Sequence, residues 1–195
     1  MTTMSWTIPN LLTLLRVSLI PVIVLLYCMP IDGVYAAAVF LLAGLTDWLD
    51  GFLARTLAQF SRFGEFLDPV ADKLMVAVAL VLLVSDRQLN GALLAPLIFT
   101  LVAAVVIGRE IAVSALREWM AEMGERGVVA VGHLGKVKTT IQIIAITLLL
   151  SKGDLGEFPS LVIGEILFYV AGGLTLWSMT LYLRAAWPVL LDNPK

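Results

Sequence analysis

Six apolar runs, at residues 9–29, 35–54, 69–85, 91–113, 134–151 and 161–183, fill most of the chain. Each is close to the ~20 residues an α-helix needs to cross a bilayer, the third being the shortest. Between them lie "MPIDGVY", the charged stretch Arg55–Phe66, "SDRQLNG", "REWMAEMGERG" and "SKGDLGEFPS", which read as connecting loops. In hydrocarbon every backbone N–H and C=O must bond internally, so the runs are expected as helices. No run alternates apolar and polar residues for long enough to suggest a barrel strand.

Composition agrees. Of 195 residues, 60% are hydrophobic and only 14% charged, whereas a soluble domain carries about a quarter. The mean hydropathy is +0.96. We therefore expect a single all-α integral membrane domain over 1–195, a bundle of six transmembrane helices. The net charge of -2 says little, and no run of basic residues interleaved with aromatics points to nucleic acid. Cys28 is the one cysteine, which excludes an internal disulfide and a cysteine-based metal site. The first residues, "MTTMSWTIPN", lack the basic segment of a cleaved signal. Of 13 basic residues, only Arg87 and Lys152 fall in the loops after the first, third and fifth runs. The positive-inside rule then places both termini and the aspartate-bearing loop after the second run in the cytoplasm, so that any polar cavity at that end faces the cytoplasm. Trp6, Trp119, Trp177, Tyr182 and Trp187 fall near the predicted ends, as interfacial anchors do.

The stretch "DWLDGFLARTLAQFSRFGEFLDPVAD", from Asp47 to Asp72, departs from this apolar background. Asp47, Asp50, Gly51, Ala54 and Arg55 are spaced to share one helical face. Gly64, Asp68 and Asp72 step by four and share another. A turn at "SRFG" would let the two faces meet, gathering four carboxylates at one membrane edge. Two aspartates there would be an ordinary solvated helix end; four in register repel one another and require a cation. Arg55 alone does not balance them. Carboxylate oxygens without His or Cys suit Mg²⁺ or Mn²⁺. Two such ions, about 4 Å apart, clamp the attacking and leaving oxygens of a phosphoryl transfer. Gly51, Ala54 and Gly64 leave room for a bulky polyanion beside them.

The pattern D-x2-D-G-x2-A-R-x8-G-x3-D-x3-D, met here without departure, resembles the signature of the CDP-alcohol phosphotransferases. The resemblance implies a six-helix membrane bundle, usually a homodimer, that transfers a phosphatidyl-type group from a CDP-linked donor to an alcohol and releases CMP. It implies that Asp47, Asp50, Asp68 and Asp72 hold metal and that Asp72 takes the proton of the acceptor's hydroxyl. It places Gly51, Ala54, Arg55, Ser61 and Gly64 on the CDP-lipid, with Asn10, Leu11, Leu12 and Thr13 from "PNLLTLLR". Two rival readings are an intramembrane prenyltransferase and a cation transporter. The first lacks here a second aspartate-rich motif, and the second suits carboxylates near the midplane better than at one edge.

A basic cluster shares the expected cytoplasmic side. Arg109 and Arg117 are eight residues apart, on one helical face, and Lys136 and Lys138 lie in "GKVKTT". Glu110 is expected to serve one of them. The remaining cations call for an anion: the phosphate of the acceptor, or lipid headgroups. Arg16 is compatible with either the nucleotide or the acceptor pocket. "IPNLLTLLRVSLIPV", "VSALREWMAEMG" and "GKVKTT" are similar to bacterial inner-membrane members of the family that use CDP-diacylglycerol as donor and sn-glycerol 3-phosphate as acceptor. His133 is read as a hydrogen-bonded boundary residue, Glu118, Glu122 and Glu125 as a solvated face with Arg126, and Glu65, off the Asp68–Asp72 face, as no part of the site. Gly164, Gly172 and Gly173 are read as sites of close helix packing.

Overall fold

The computed structural model describes the backbone of residues 8–57, 62–124, 133–153 and 155–191. Within these stretches, the side chains of residues 8, 9, 48, 50–57, 62, 63, 65, 133, 134, 136 and 190 lie outside the description. Among the described residues there are seven α-helices and no strand: α1 Ile8–Cys28, α2 Val34–Leu57, α3 Arg62–Ser85, α4 Arg87–Ala92, α5 Pro96–Glu122, α6 His133–Leu150 and α7 Ser160–Leu191. Three segments, Asn10–Cys28, Pro96–Glu122 and Ser160–Val189, are long and apolar enough to cross a membrane.

Several boundaries correct the sequence reading, for one physical reason. Hydropathy marks the part of a helix that lipid tolerates, whereas the backbone keeps its hydrogen bonds into the polar zone. Thus α2 runs to Leu57, α3 starts at Arg62 and α5 continues to Glu122. Arg62–Phe66 and Arg117–Glu122, expected as loops, are helical. Of the turn expected at "SRFG", the "RFG" residues belong to α3 and Ser61 lies outside the described residues. The "SDRQLNG" loop contains α4, because the Asp86 carboxylate caps it, accepting from the Gln88 and Leu89 amides at 2.9 and 3.1 Å. Burial pushes this carboxyl up, but bonds from the Leu89 amide, the Tyr27 hydroxyl and the Gln88 amide, with the Lys152 charge, outweigh it. The Asp86 carboxyl is held below the usual range. Helix α5 begins at Pro96 rather than at Gly91. The chain just before it is held by Glu165 of α7, which is buried and accepts from the Leu94 and Ala95 amides at 2.8 and 3.0 Å.

The long helices close into a ring in the order α1, α2, α6, α7, α5, α3, and α3 also reaches across to α6. Its apolar core occupies one half of the bundle. Ile23 and Tyr27 of α1, Phe40 of α2, Leu80 and Leu83 of α3, Phe99 of α5, Ile146 and Leu149 of α6 and Phe168 of α7 fill it. Gly33, Gly164 and Gly172 permit close approach there. A Cβ on Gly33 would lie 2.6 Å from the Leu150 and Ser151 carbonyl oxygens, and one on Gly172 would lie 2.5 Å from a Val102 methyl. Gly173 faces open space. The other half holds the buried polar residues Asn10, Thr13, Arg16, Arg109, Lys138, Gln142, Thr175 and Ser178. Successive long helices alternate in direction, so the start of α1, end of α2, start of α3, second half of α5, start of α6 and end of α7 share that half.

Candidate active site

Apart from exposed Ser18, the described polar side chains of α1 are turned into the ring. Asn10, Thr13 and Arg16, spaced by three, are all buried, whereas Leu11 is half exposed and Leu12 is intermediate. The Thr13 hydroxyl donates to Asp68 Oδ1. Arg16 Nη1 donates to Asp72 Oδ1 at 2.6 Å and lies 3.1 Å from Asp47 Oδ1. The aspartate face of α2 and that of α3 therefore do converge, on α1. The Arg16 side chain is fully buried while those of Asp47 and Asp72 are 46% and 41% exposed. The guanidinium thus closes the site from behind, and the carboxylates open outward.

The cation expected among these carboxylates is in part Arg16. The sequence argument set only Arg55 against them, because 31 or more residues of sequence separate Arg16 from any aspartate of the motif. Gly64 is buried in the first turn of α3, one turn before Asp68. The side chains of Asp50, Arg55 and Ser61 and the surroundings of Gly51 and Ala54 lie outside the described residues. The α2 backbone is helical through all of these except Ser61, so Asp47, Asp50, Gly51 and Ala54 do share one face. As a donor set, Asp47, Asp68 and Asp72 offer only oxygen. Two of them approach the Arg16 guanidinium. Their oxygen-only chemistry is that of a hard divalent ion's ligands, though among the described residues no three such side chains are gathered closely enough to hold one.

On the far side of α3 lies the basic cluster. Glu110 Oε1 accepts from both Arg109 Nη1 and Lys138 Nζ, each at 2.7 Å, so it serves two cations and not one. Arg109 Nη2 also donates to Ser178 Oγ at 3.0 Å. Arg117 Nη2 donates to the Tyr182 hydroxyl at 3.0 Å, and Arg109 and Arg117 both lie over the Tyr182 ring, 5.7 and 5.0 Å from its centroid. Tyr182 is therefore buried beneath two arginines instead of anchoring at the lipid boundary, while Trp177 and Trp187 remain exposed. Trp119 is half-buried against Val113, Met120, Tyr182 and Ala186. The Lys136 and His133 side chains lie outside the described residues. Among the described residues, Gln142 Oε1, Thr175 Oγ1 and the Nε atoms of Arg109 and Arg117 are buried and have no hydrogen-bond partner. Such atoms mark an interior polar enough to take up water or a ligand.

Sequence reasoning missed Lys73, whose ammonium donates to Ser114 Oγ on α5. The available signal was a lysine placed immediately after Asp72 at the head of the apolar run "LMVAVALVLLV". α3 thus stands between a carboxylate set facing α1 and a basic set facing α5.

Comparison with known proteins gives a matching picture. The sequence model of the CDP-alcohol phosphatidyltransferase family matches residues 6–177. A Pseudomonas fluorescens protein named "CDP-diacylglycerol--glycerol-3-phosphate 3-phosphatidyltransferase" is 54% identical over 186 residues, 94% of this chain and 91% of the relative. Proteins of the same name from Escherichia coli (strain K12) and Shigella flexneri are each 50% identical over 193 residues, 97% of this chain and 100% of the relative.

Proposed function

The chain belongs to the CDP-alcohol phosphatidyltransferase family, and we propose that it transfers the phosphatidyl group of CDP-diacylglycerol to sn-glycerol 3-phosphate. The products are phosphatidylglycerophosphate and CMP, an early step toward phosphatidylglycerol and cardiolipin. The observation that carries the reading is the placement of the Asp47–Arg16–Asp72 site and the Arg109–Glu110–Lys138 site on opposite flanks of α3, at one end of the bundle. One flank suits a diphosphate and the other a phosphorylated acceptor.

The residues divide the work. Asp47, Asp50, Asp68 and Asp72 would hold divalent metal, Mg²⁺ or Mn²⁺, as two ions, which would supply positive charge against the diphosphate and the departing CMP. Gly51, Ala54, Arg55, Ser61 and Gly64, with Asn10 to Thr13, seat the CDP-lipid. Asp72 accepts the proton of the acceptor hydroxyl as its oxygen bonds to the lipid-side phosphorus and the bond from that phosphorus to CMP breaks. Arg16 fixes the Asp72 carboxylate for this, and Thr13 fixes that of Asp68. Arg109, Lys136, Lys138 and Arg117 receive the acceptor's phosphate. The six long helices cross the bacterial inner membrane with this end in the cytoplasm, where CMP and glycerol 3-phosphate are soluble, and the protein acts as a homodimer.

The test is an acceptor panel on purified protein with CDP-diacylglycerol and Mg²⁺. It compares glycerol 3-phosphate, inositol 1-phosphate, serine and phosphatidylglycerol, with CMP release as the signal. Release with glycerol 3-phosphate alone, abolished by EDTA, is expected. Release with another acceptor instead would overturn the substrate assignment and leave the carboxylate site standing.

A further inference from the structure

We infer that Lys73 is a specificity-determining residue that, with Arg117, holds the acceptor's phosphate beside Asp72; this rests on the functional reading above. Lys73 stands at the right place for this. Successive side chains on an α-helix diverge by about 100°, so Asp72 and Lys73 serve adjacent walls of the cavity. Asp72 meets Arg16 of α1. Lys73 meets Ser114 of α5. Ser114 lies four residues after Glu110 and three before Arg117, on the same helical face. Lys73 thus reaches from the proposed base into the middle of the basic cluster.

The charges around it agree. Arg109 and Lys138 share the Glu110 carboxylate. Lys73 has the Ser114 hydroxyl, and Arg117 has the Tyr182 hydroxyl and ring. Among the described residues of this set, Glu110 is thus paired with two of the four cations, and the contacts of Lys73 and Arg117 are with neutral groups. Partly buried cations that have only neutral partners attract an anion strongly, and a phosphate monoester carries close to two negative charges. An acceptor with its phosphate between Lys73 and Arg117 has its hydroxyl toward Asp72, because Lys73 and Asp72 are consecutive residues. A short phosphorylated alcohol spans that gap, and an alcohol without phosphate gains nothing from Lys73.

The experiment uses full-length Lys73→Gln and Lys73→Arg proteins in detergent, with CDP-diacylglycerol and Mg²⁺. Lys73→Gln should raise the KM for glycerol 3-phosphate at least about tenfold, as expected for a lost charge-assisted contact, and change that for CDP-diacylglycerol less than about twofold. Lys73→Arg should recover most of the loss. An equal rise in both KM values, or one confined to CDP-diacylglycerol, assigns Lys73 to the donor and overturns the inference, as do unchanged values. Should Lys73→Gln fail to fold, acylation of Lys73 in the wild-type protein gives the answer by mass spectrometry. Glycerol 3-phosphate should protect it and glycerol should not; equal labelling in both overturns the inference. Wild-type protein that uses only an unphosphorylated acceptor refutes the functional reading itself. Wild-type protein that uses glycerol 3-phosphate, with Lys73→Gln unaffected, refutes only the role of Lys73.

Discussion

Asp72 and Glu110 show how differently two carboxylates act in one cavity. Asp72 is held by Arg16 yet 41% exposed, which leaves an oxygen available to a substrate. Asp72→Asn keeps the shape and removes the proton acceptor. It should lower kcat by several orders of magnitude while CDP-diacylglycerol binding, measured by the ligand's effect on melting temperature, persists. Near-normal turnover would show that another group takes the proton. Glu110 is instead a counter-ion to Arg109 and Lys138, whose side chains are 6% and 1% exposed. Glu110→Gln leaves two buried cations facing each other. Breaking a fully buried pair costs about 3–5 kcal/mol, and Glu110 is partly exposed, so about 2 kcal/mol is expected. Thermal denaturation in detergent should show a fall of several degrees, and an unchanged midpoint would mean that water already screens the cluster.

At the scale of elements, small residues decide how the ring closes. Gly33 begins the turn into α2 where that turn abuts the end of α6, and the atoms a methyl group would meet are backbone carbonyls, which do not rotate aside. Gly33→Ala should destabilise by at least about 1–3 kcal/mol. Gly173→Ala, with no neighbour within 4 Å, should be neutral or slightly stabilising through helix propensity. Equal melting points for the two variants would contradict the packing of α2 against α6. Gly164 and Gly172 are visible in the sequence as small residues in an apolar run. Which of Gly172 and Gly173 touches a neighbour depends on the rotation of α7 against α5.

The candidate site lies at one end of the whole molecule, and the proposed orientation puts that end in the cytoplasm. Cys28, exposed at the other end of α1, reports on this directly. In spheroplasts a membrane-impermeant maleimide should label Cys28. It should label a Cys28→Ser, Met123→Cys protein only after the membrane is broken, since exposed Met123 follows α5 at the site's end. The reverse pattern would invert the orientation and place the carboxylates outside.

The sequence alone determined that the chain is helical and apolar, because a chain this hydrophobic must satisfy its backbone within helices. It determined that Asp47 and Asp50, and Asp68 and Asp72, pair on helical faces, because a spacing of three or four residues has one meaning on a helix. It marked Arg109, Arg117 and Lys138 as cations in need of an anion. Tertiary structure alone decided the partners. Arg16 falls between Asp47 and Asp72, Glu110 between Arg109 and Lys138, and Tyr182 beneath two arginines. Lys73 reaches Ser114. Each pairing joins residues on different helices, apart from the adjacent Arg109 and Glu110. Helical periodicity sets which side of its own helix a residue occupies, but which helix lies opposite is set by how six apolar surfaces close into a ring.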